Sequence, residues 1–299
     1  MKKRFLAIAI TAGLVSSFAA NADAKFYGNV HLTLTDTKNT DLTLGSNTSA
    51  FGFKGKEDLG GGMSALFKIE YQYDPSTRNS NGALTDRDQW VGLKGGMGTV
   101  KFGTMTSNYK ATGKTVDPFY RTNGEARGLG LQSALHRGAG QDGGRMTKTL
   151  QYSSPKMGGM QMVVNTTFTG NGSETTGLGV RYKAKAFTAF FDYLDSGVVN
   201  QSAMKVGGSN KMDALVLGFQ YEAAEDVTGN DYTFVSANYK LNSNDNIMFT
   251  FGDASNADSG YALGYAHALS KKTSTYIAIA EDSATTDLGA ITAGLKHKF

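Results

Sequence analysis

The chain of 299 residues has no cysteine, only three prolines and a single tryptophan. Without cysteine there can be no disulfides, no thiolate metal sites and no cysteine nucleophile. The formal charge is only +4, so the charge excess typical of nucleic-acid-binding proteins is missing. Glycine is abundant at 38 residues, and 40% of the chain is hydrophobic. Much glycine with so little proline excludes collagen-like and disordered chains and indicates a packed or closed structure.

The first 24 residues have the three parts of a secretory signal peptide. A basic start at residues 2–4 precedes an apolar run at 5–15, and small residues follow at 22–24. The apolar run is shorter than the ~20 residues of a membrane-spanning helix. We therefore predict that residues 1–24 are a signal peptide and that residues 25–299 are an exported single domain.

Apolar and polar residues alternate along much of the mature chain. The clearest segments are 63–73, 178–183, 215–222 and 247–252. A period of two with one apolar face indicates strands, and no later stretch is long enough to span a membrane as a helix. If the apolar faces meet lipid, then Lys68, Glu70, Arg181 and Lys183 face the lumen of a barrel.

Short and long connections separate these strands. Short turns rich in glycine or lysine lie at 59–62, 95–98, 155–159 and 270–273, and longer polar segments lie at 36–48, 74–85, 195–210 and, longest of all, 105–144. Outer-membrane barrels have this asymmetry, with tight turns at one end and longer loops at the other. A soluble sandwich has no reason to sort its loops in this way.

The length of the chain then bounds the number of strands. At about 10 residues per strand, 16 strands leave roughly five residues for each ordinary connection, whereas 8 or 22 strands leave unrealistic connections. Roughly 15 alternating segments can be counted directly, and a barrel of this class needs an even number. We predict an all-β, transmembrane, antiparallel up-and-down barrel of 16 strands, with an uncounted strand near residues 202–207.

Five short segments resemble the general porins of Gram-negative bacteria, and they occur in the right order over the whole mature length. They are KFYG at 25–28, FGFKGKEDLGGG at 51–62, RDQWVGLK at 87–94, YSSPKMGG at 152–159 and GLKHKF at 294–299. The resemblance implies a homotrimer of 16-stranded barrels, through which small hydrophilic solutes and ions diffuse. The final Phe299 resembles the signal by which the barrel assembly machinery recognises outer-membrane proteins.

In that family the third outer loop folds into the lumen and narrows it, a position that residues 105–144 occupy here. Asp117-Pro118-Phe119 resembles the tip of that loop, although the order of the acidic residue and the proline differs. The resemblance makes these charged residues candidates for the pore constriction: Asp117, Arg121, Glu125, Arg127, Arg137 and Arg145. The family's wall arginines are replaced, since Ala50 and Thr104 stand where they are expected. The alternation of the strand that starts at Arg145 predicts that this arginine faces the lumen.

The charge of the predicted loop indicates its ion preference. It carries five basic residues, including Lys110 and Lys114, against three acidic ones, including Asp142, and Arg145 adds a further base. Charge fixed in a narrow lumen concentrates ions of the opposite sign. We therefore expect a weak anion preference at low salt that fades as salt is added, because salt screens the charges.

No motif for catalysis or for a cofactor or metal is present, so we predict a protein that is not an enzyme and needs no cofactor. The four histidines have no metal-ligand spacing, and Ser153-Ser154-Pro155-Lys156 matches S-x-x-K only formally, within a turn. Three alternatives stay open: a substrate-specific channel, a closed structural or adhesive barrel, and a hydrolase with its site at the barrel rim. Small residues on the predicted inner face, among them Gly218 and Gly252, argue against a plugged lumen.

Overall fold

The computed structural model describes residues 23–38, 40–77, 84–137, 144–170, 172–197, 201–257, 259–282 and 289–299. The strands are β1 (Asp23–Thr37), β2 (Thr43–Ser46), β3 (Ala50–Gly60), β4 (Met63–Gln72), β5 (Thr85–Gly95), β6 (Gly98–Thr106), β7 (Arg145–Ser153), β8 (Met160–Thr167), β9 (Thr176–Lys183), β10 (Phe187–Asp195), β11 (Ser202–Met212), β12 (Leu215–Ala223), β13 (Tyr232–Lys240), β14 (Asp245–Ala254), β15 (Gly260–Ala268), β16 (Thr273–Asp282) and β17 (Ala290–Lys298). The helices are α1 (Asn108–Gly113), a 3-10 turn (Ala134–His136) and α2 (Glu225–Thr228). None of the helices in these ranges has both the length and the apolar character that a membrane crossing needs.

The strands form one antiparallel sheet that closes on itself. Closure comes from β1 and β17, which pair from Asn29 opposite Lys298 to Thr37 opposite Ala290. Next to this seam the Phe299 N–H donates to the Gly28 carbonyl at 3.1 Å, and the Phe299 ring stacks on Phe26 with centroids 5.5 Å apart. A closed sheet leaves no unpaired strand edge, which is what a strand-built membrane protein requires.

The 17 strand segments occupy 16 positions around the barrel. Both β2 and β3 pair with β1, because a break at residues 47–49 divides what is otherwise one strand. At this break Thr48 adopts a positive φ of 61°. The predicted barrel of 16 antiparallel strands is therefore confirmed.

The strand that was expected near residues 202–207 is β11, and the long polar connection predicted at 195–210 is wrong. Met204 and Val206 are half exposed on the outer face of β11, whereas Lys205 between them is buried on the inner face. The glycines and polar residues at 207–210 hide this alternation in the sequence. They nevertheless continue the ladder to β10 and β12.

The outer face of the barrel is apolar and the inner face is polar. Ile69, Phe219 and Ile277 are 44–52% exposed on the outer face. An apolar surface of this extent around a closed sheet fits contact with the hydrocarbon of a membrane. On β4 the neighbours of Ile69, which are Lys68 and Glu70, are largely buried on the other face.

The longest connection joins β6 to β7 and spans residues 107–144, and we call it the inner loop. The predicted bounds of 105–144 begin two residues too early, because Met105 and Thr106 still pair with Met146 and Arg145 in the sheet. At the other end of the chain, β1 begins at Asp23, which pairs with Lys56. The rest of the predicted signal peptide, residues 1–22, lies outside the described residues, and its cleavage stays a prediction.

Candidate functional site

Residues 107–137 of the inner loop lie against the inside of the barrel wall. At its start the Ser107 hydroxyl accepts from the Lys110 N–H at 3.1 Å, which caps α1. The Asn108 side-chain amide then donates to Asp192 on β10 at 2.9 Å. Farther along, the Ser236 hydroxyl of β13 donates to the Val116 carbonyl at 2.5 Å. Polar groups of the wall thus fix the loop backbone, which buried peptide groups require.

Apolar contacts continue this docking along the second half of the barrel. Phe119 is fully buried against Ala262 and Ala278, on β15 and β16. Beyond it, the Asn123 side-chain amide donates to the Thr35 hydroxyl on β1. The described part of the loop therefore follows the wall from β10 round to β1, and its other side faces the wall of β4, β5 and β7.

Glycines on the inner wall make room for the loop. A methyl group at Gly252 would lie 2.8 Å from Leu131 Cβ, and one at Gly264 would lie 2.7 Å from the Phe119 ring. Such distances are too short for carbon atoms, so larger residues would push the loop away. From the sequence alone, Gly218 and Gly252 indicate an unfilled lumen. In the structure both lie beneath the loop, with Gly218 next to Val116.

A fully buried ionic cluster lies where the loop meets β10, β11 and β12. The Lys205 ammonium lies 3.9 Å from Asp192, donates to the Tyr109 carbonyl and lies 3.1 Å from His136 Nε2. Burial and the charge of Lys205 hold the pKa of His136 well below its usual range, so its neutral ring can accept from Lys205. Glu222 accepts from the Tyr109 hydroxyl at 3.2 Å. These bonds join the start and the end of the loop to one patch of the wall.

Opposite the loop, β4, β5 and β7 carry a second, linked set of ion pairs. Arg87 Nε lies 2.5 Å from Glu70, and the Lys68 ammonium lies 2.8 Å from Asp88 and 3.1 Å from Glu70. Arg145 Nε lies 2.8 Å from Asp88. Three bases thus share two acids, so this part of the wall keeps a positive charge.

Arg145 reaches this wall although β7 does not alternate regularly. The pairing of β6 with β7 shifts between Gly103 and Met105, and Lys148 adopts a positive φ of 50°. The adjacent Met146 is fully buried as well. The simple alternation that predicted an inward Arg145 therefore does not hold through β7. The ion pair with Asp88 is what fixes the side chain.

Asp117 and Glu125 have different surroundings within the loop. Asp117 is 6% exposed and accepts from the N–H groups of Phe119 and Ala126 at 2.8 and 2.9 Å. Burial raises its pKa to about 7, although these two N–H groups act in the opposite direction. Both carboxylate oxygens of Asp117 are used inside the loop. Glu125 instead pairs with Arg127 Nε at 2.9 Å.

The other predicted residues are spread over the loop and β9. Arg121 has a positive φ of 64°, and its guanidinium lies 5.6 Å from the centre of the Tyr120 ring. Arg181 donates to the Asn108 carbonyl at 3.4 Å beneath α1. Lys183 is the last residue of β9 and is exposed. These three residues do not join the ion pairs of β4, β5 and β7.

A cavity of about 350 Å³ lies between the inner loop and the wall of β4, β5 and β7. Its lining residues are Thr48, Gln72, Thr85, Asp86, Arg87, Lys110, Glu125, Arg127, Gly128, Arg137 and Arg145. Five of them are basic and two are acidic. The structure thus brings together four of the six predicted constriction residues and leaves out Asp117 and Arg121.

The sequence pattern does not single out Arg87 and Lys110 as site residues. Arg87 stands beside Asp88 at a shift in the pairing of β4 with β5, so alternation cannot assign both to one face. Lys110 follows the capping serine of a six-residue helix, a short signal within a loop of mixed charge. Among the described residues, no group of three or more histidine, aspartate and glutamate side chains is placed to hold a metal ion.

The closed 16-stranded barrel with a charged cavity beside a docked loop defines a class of outer-membrane channel. The family described as Gram-negative porin matches residues 7–287. The major outer membrane protein P.IB of Neisseria lactamica is 27% identical, with full coverage of both chains. The protein of the same name from Neisseria meningitidis serogroup B is 24% identical, again over the whole of both chains.

Solved porin structures superimpose on this barrel. The anion-selective porin from Comamonas acidovorans superimposes with a TM-score of 0.76 at 21% identity, covering 93% of this chain and all of that one. A mutant of the porin from Rh. blastica gives a TM-score of 0.75 at 13% identity and covers 92% of this chain. The chain therefore belongs to the Gram-negative porin family and is a protein of the outer membrane.

Proposed function

We propose that this porin is a water-filled channel for the passive diffusion of small hydrophilic solutes and ions, with a constriction that favours anions. The observation that carries the anion preference is the lining of the cavity, where four arginines, besides Lys110, outnumber two acidic side chains. A fixed charge in a narrow space with low-dielectric walls concentrates ions of the opposite sign. The proposed transport involves no catalytic step and no cofactor.

The charges behind the lining reduce its positive charge but do not reverse it. Glu70 and Asp88 lie behind Arg87 and Arg145, but Lys68 is shared between these acids and offsets part of their charge. On the loop side Glu125 pairs with Arg127, so this acidic residue of the lining offsets one of its own bases. Because screening acts over about 8 Å at physiological salt, the preference should be clearest in dilute solutions.

Planar lipid bilayers and loaded liposomes together test this function. The purified protein should give discrete conductance steps, and neutral sugars should enter liposomes at rates that fall with size and do not saturate. Saturation by one sugar would favour a substrate-specific channel. If circular dichroism shows intact strands but no conductance is seen, a closed structural barrel is the better account.

We extend the proposal to the mature assembly. Membership of the porin family supports a homotrimer embedded in outer-membrane lipid. It also supports export by the signal peptide at residues 1–24 and recognition of Phe299 by the barrel assembly machinery. Light scattering in mild detergent should give three times the mass of one chain. Mass spectrometry of the protein from outer membranes should find Lys25 at the N-terminus, and a retained leader would contradict this part.

A further inference from the structure

The arginines at the cavity use their inner nitrogens to hold acids. Arg87, Arg127 and Arg145 each contact a carboxylate through Nε. From their terminal nitrogens, Arg87 donates to Gln72 at 2.8 Å and Arg127 donates to the His136 carbonyl at 2.9 Å. Toward the other described residues these ends form no further hydrogen bond. Guanidinium groups whose ends stay available are suited to bind the oxygens of a planar or tetrahedral anion.

Lys110 lines the same cavity without an acidic partner. The residue is 6% exposed, and across the described ranges its ammonium group forms no hydrogen bond and no ion pair within 4.0 Å. The charged or titratable groups that face it come from β5, β7, the loop and the 3-10 turn: Arg87, Arg145, Arg127, Glu125 and His136. Four of the five are basic or neutral. Glu125 is the one acid among them and already pairs with Arg127, so within the described part of the chain the Lys110 ammonium has no counter-charge of its own.

We propose that this cavity binds a small, doubly charged oxyanion of the sulfate or phosphate class, held by Lys110, Arg127 and Arg145 at the constriction. The volume of about 350 Å³ is many times the ~30 Å³ of a water molecule, so the anion enters with part of its hydration. Its charge supplies what Lys110 lacks, and its oxygens accept from the free ends of the arginines. This inference rests on the proposed channel function, since the anion must reach the cavity through the lumen.

The proton on Lys110 links the binding to pH. Burial, together with Arg127, Arg145 and Arg87, lowers the pKa of Lys110 from 10.5 to about 6. A bound anion favours the protonated ammonium, so binding should take up a proton and tighten as the pH falls from 8 to 6. Sulfate suits this measurement because it stays doubly charged over the whole range. His136 stays neutral there, since its own pKa is held low.

The experiment measures chloride conductance of the reconstituted protein while sulfate replaces part of the chloride at constant ionic strength. We expect a saturable fall in conductance that deepens toward pH 6. In Lys110→Gln and Arg145→Gln the half-blocking concentration should rise about tenfold, and in Lys110→Gln the pH dependence should disappear. Phosphate at pH 8 should block at a comparable concentration.

Lys101→Gln is the matched control. Lys101 lies on the inner face of β6, with its ammonium 4.6 Å from the centre of the Trp90 ring. It is no part of the cavity lining, so its variant should keep the wild-type block. Equal and unsaturable effects of sulfate in all four proteins would overturn the site. Loss of anion preference in chloride alone would instead contradict the proposed function, so the two failures can be told apart.

Discussion

Removing the charge of Lys205 should loosen the inner loop and leave the barrel closed. The Lys205 ammonium lies 3.9 Å from Asp192, and both side chains are fully buried. At an effective dielectric constant of about 20, two charges at this distance attract by about 4 kcal/mol. Among the described residues Lys205 is the one ion-pair partner of Asp192 within 4.0 Å, and breaking a buried pair by removing one partner, as in Lys205→Met, typically costs ~3–5 kcal/mol. The ladder of β11 uses only backbone groups, so its pairing should persist.

A loss of this size changes the ratio of docked to undocked loop by about a thousandfold, since each 1.4 kcal/mol is about a factor of ten. Single-channel recordings should therefore show Lys205→Met moving between several conductance levels, where the wild type holds one. Lys211→Met, at the exposed end of the same strand, is the control and should behave as the wild type. In the double variant, Asp192→Asn also removes the buried carboxylate charge, so the current should again stay at one conductance level. A steady, wild-type current from Lys205→Met would refute this reasoning.

Three further changes address other parts of the molecule. Gly264→Val should push Phe119 off the wall and lower the stability of the docked loop by ~1–3 kcal/mol, so proteolysis within the loop should become faster. Gly45→Val is the control and should have no such effect, because a Cβ at Gly45 would meet no atom within 4 Å. Arg145→Glu should move the reversal potential at low salt toward cations, and an unchanged value would mean that Arg145 does not face the ion path. Deleting Phe299 removes its contacts with Gly28 and Phe26 and should slow insertion of the protein into liposomes. Heat-dependent gel mobility measures the insertion rate, and equal rates for the deletion variant and the wild type would contradict this prediction.

The barrel could be predicted from the sequence because lipid on one side and water on the other impose a period of two. The segment from Met63 shows this directly, with Ile69 outside and Lys68 and Glu70 inside. The polar connection assigned to residues 195–210 failed for a local reason. Glycine, serine and asparagine at 207–210 carry no hydropathy contrast, although they pair in β11 as regularly as their neighbours.

The site was harder to predict because it depends on contacts between residues far apart in the chain. Lys205 and Tyr109 are 96 positions apart, and only docking of the loop brings them together. The sequence indicates a charged loop but not which of its charges turn inward, as Asp117 illustrates. Its partners are backbone N–H groups of the loop itself. Alternation also fails at the shifts in pairing beside Arg87 and Arg145, where the wall of the cavity is formed.

The reversal potential of the reconstituted channel in a potassium chloride gradient tests the central claim most directly. The lining, in which four arginines outnumber two acidic side chains, predicts discrete conductance steps and a reversal potential shifted from zero toward the chloride equilibrium potential. The preference should shrink as both solutions are made more concentrated, because the Debye length falls from about 10 Å at 0.1 M to about 3 Å at 1 M. A reversal potential shifted toward the potassium equilibrium potential at low salt would contradict the account.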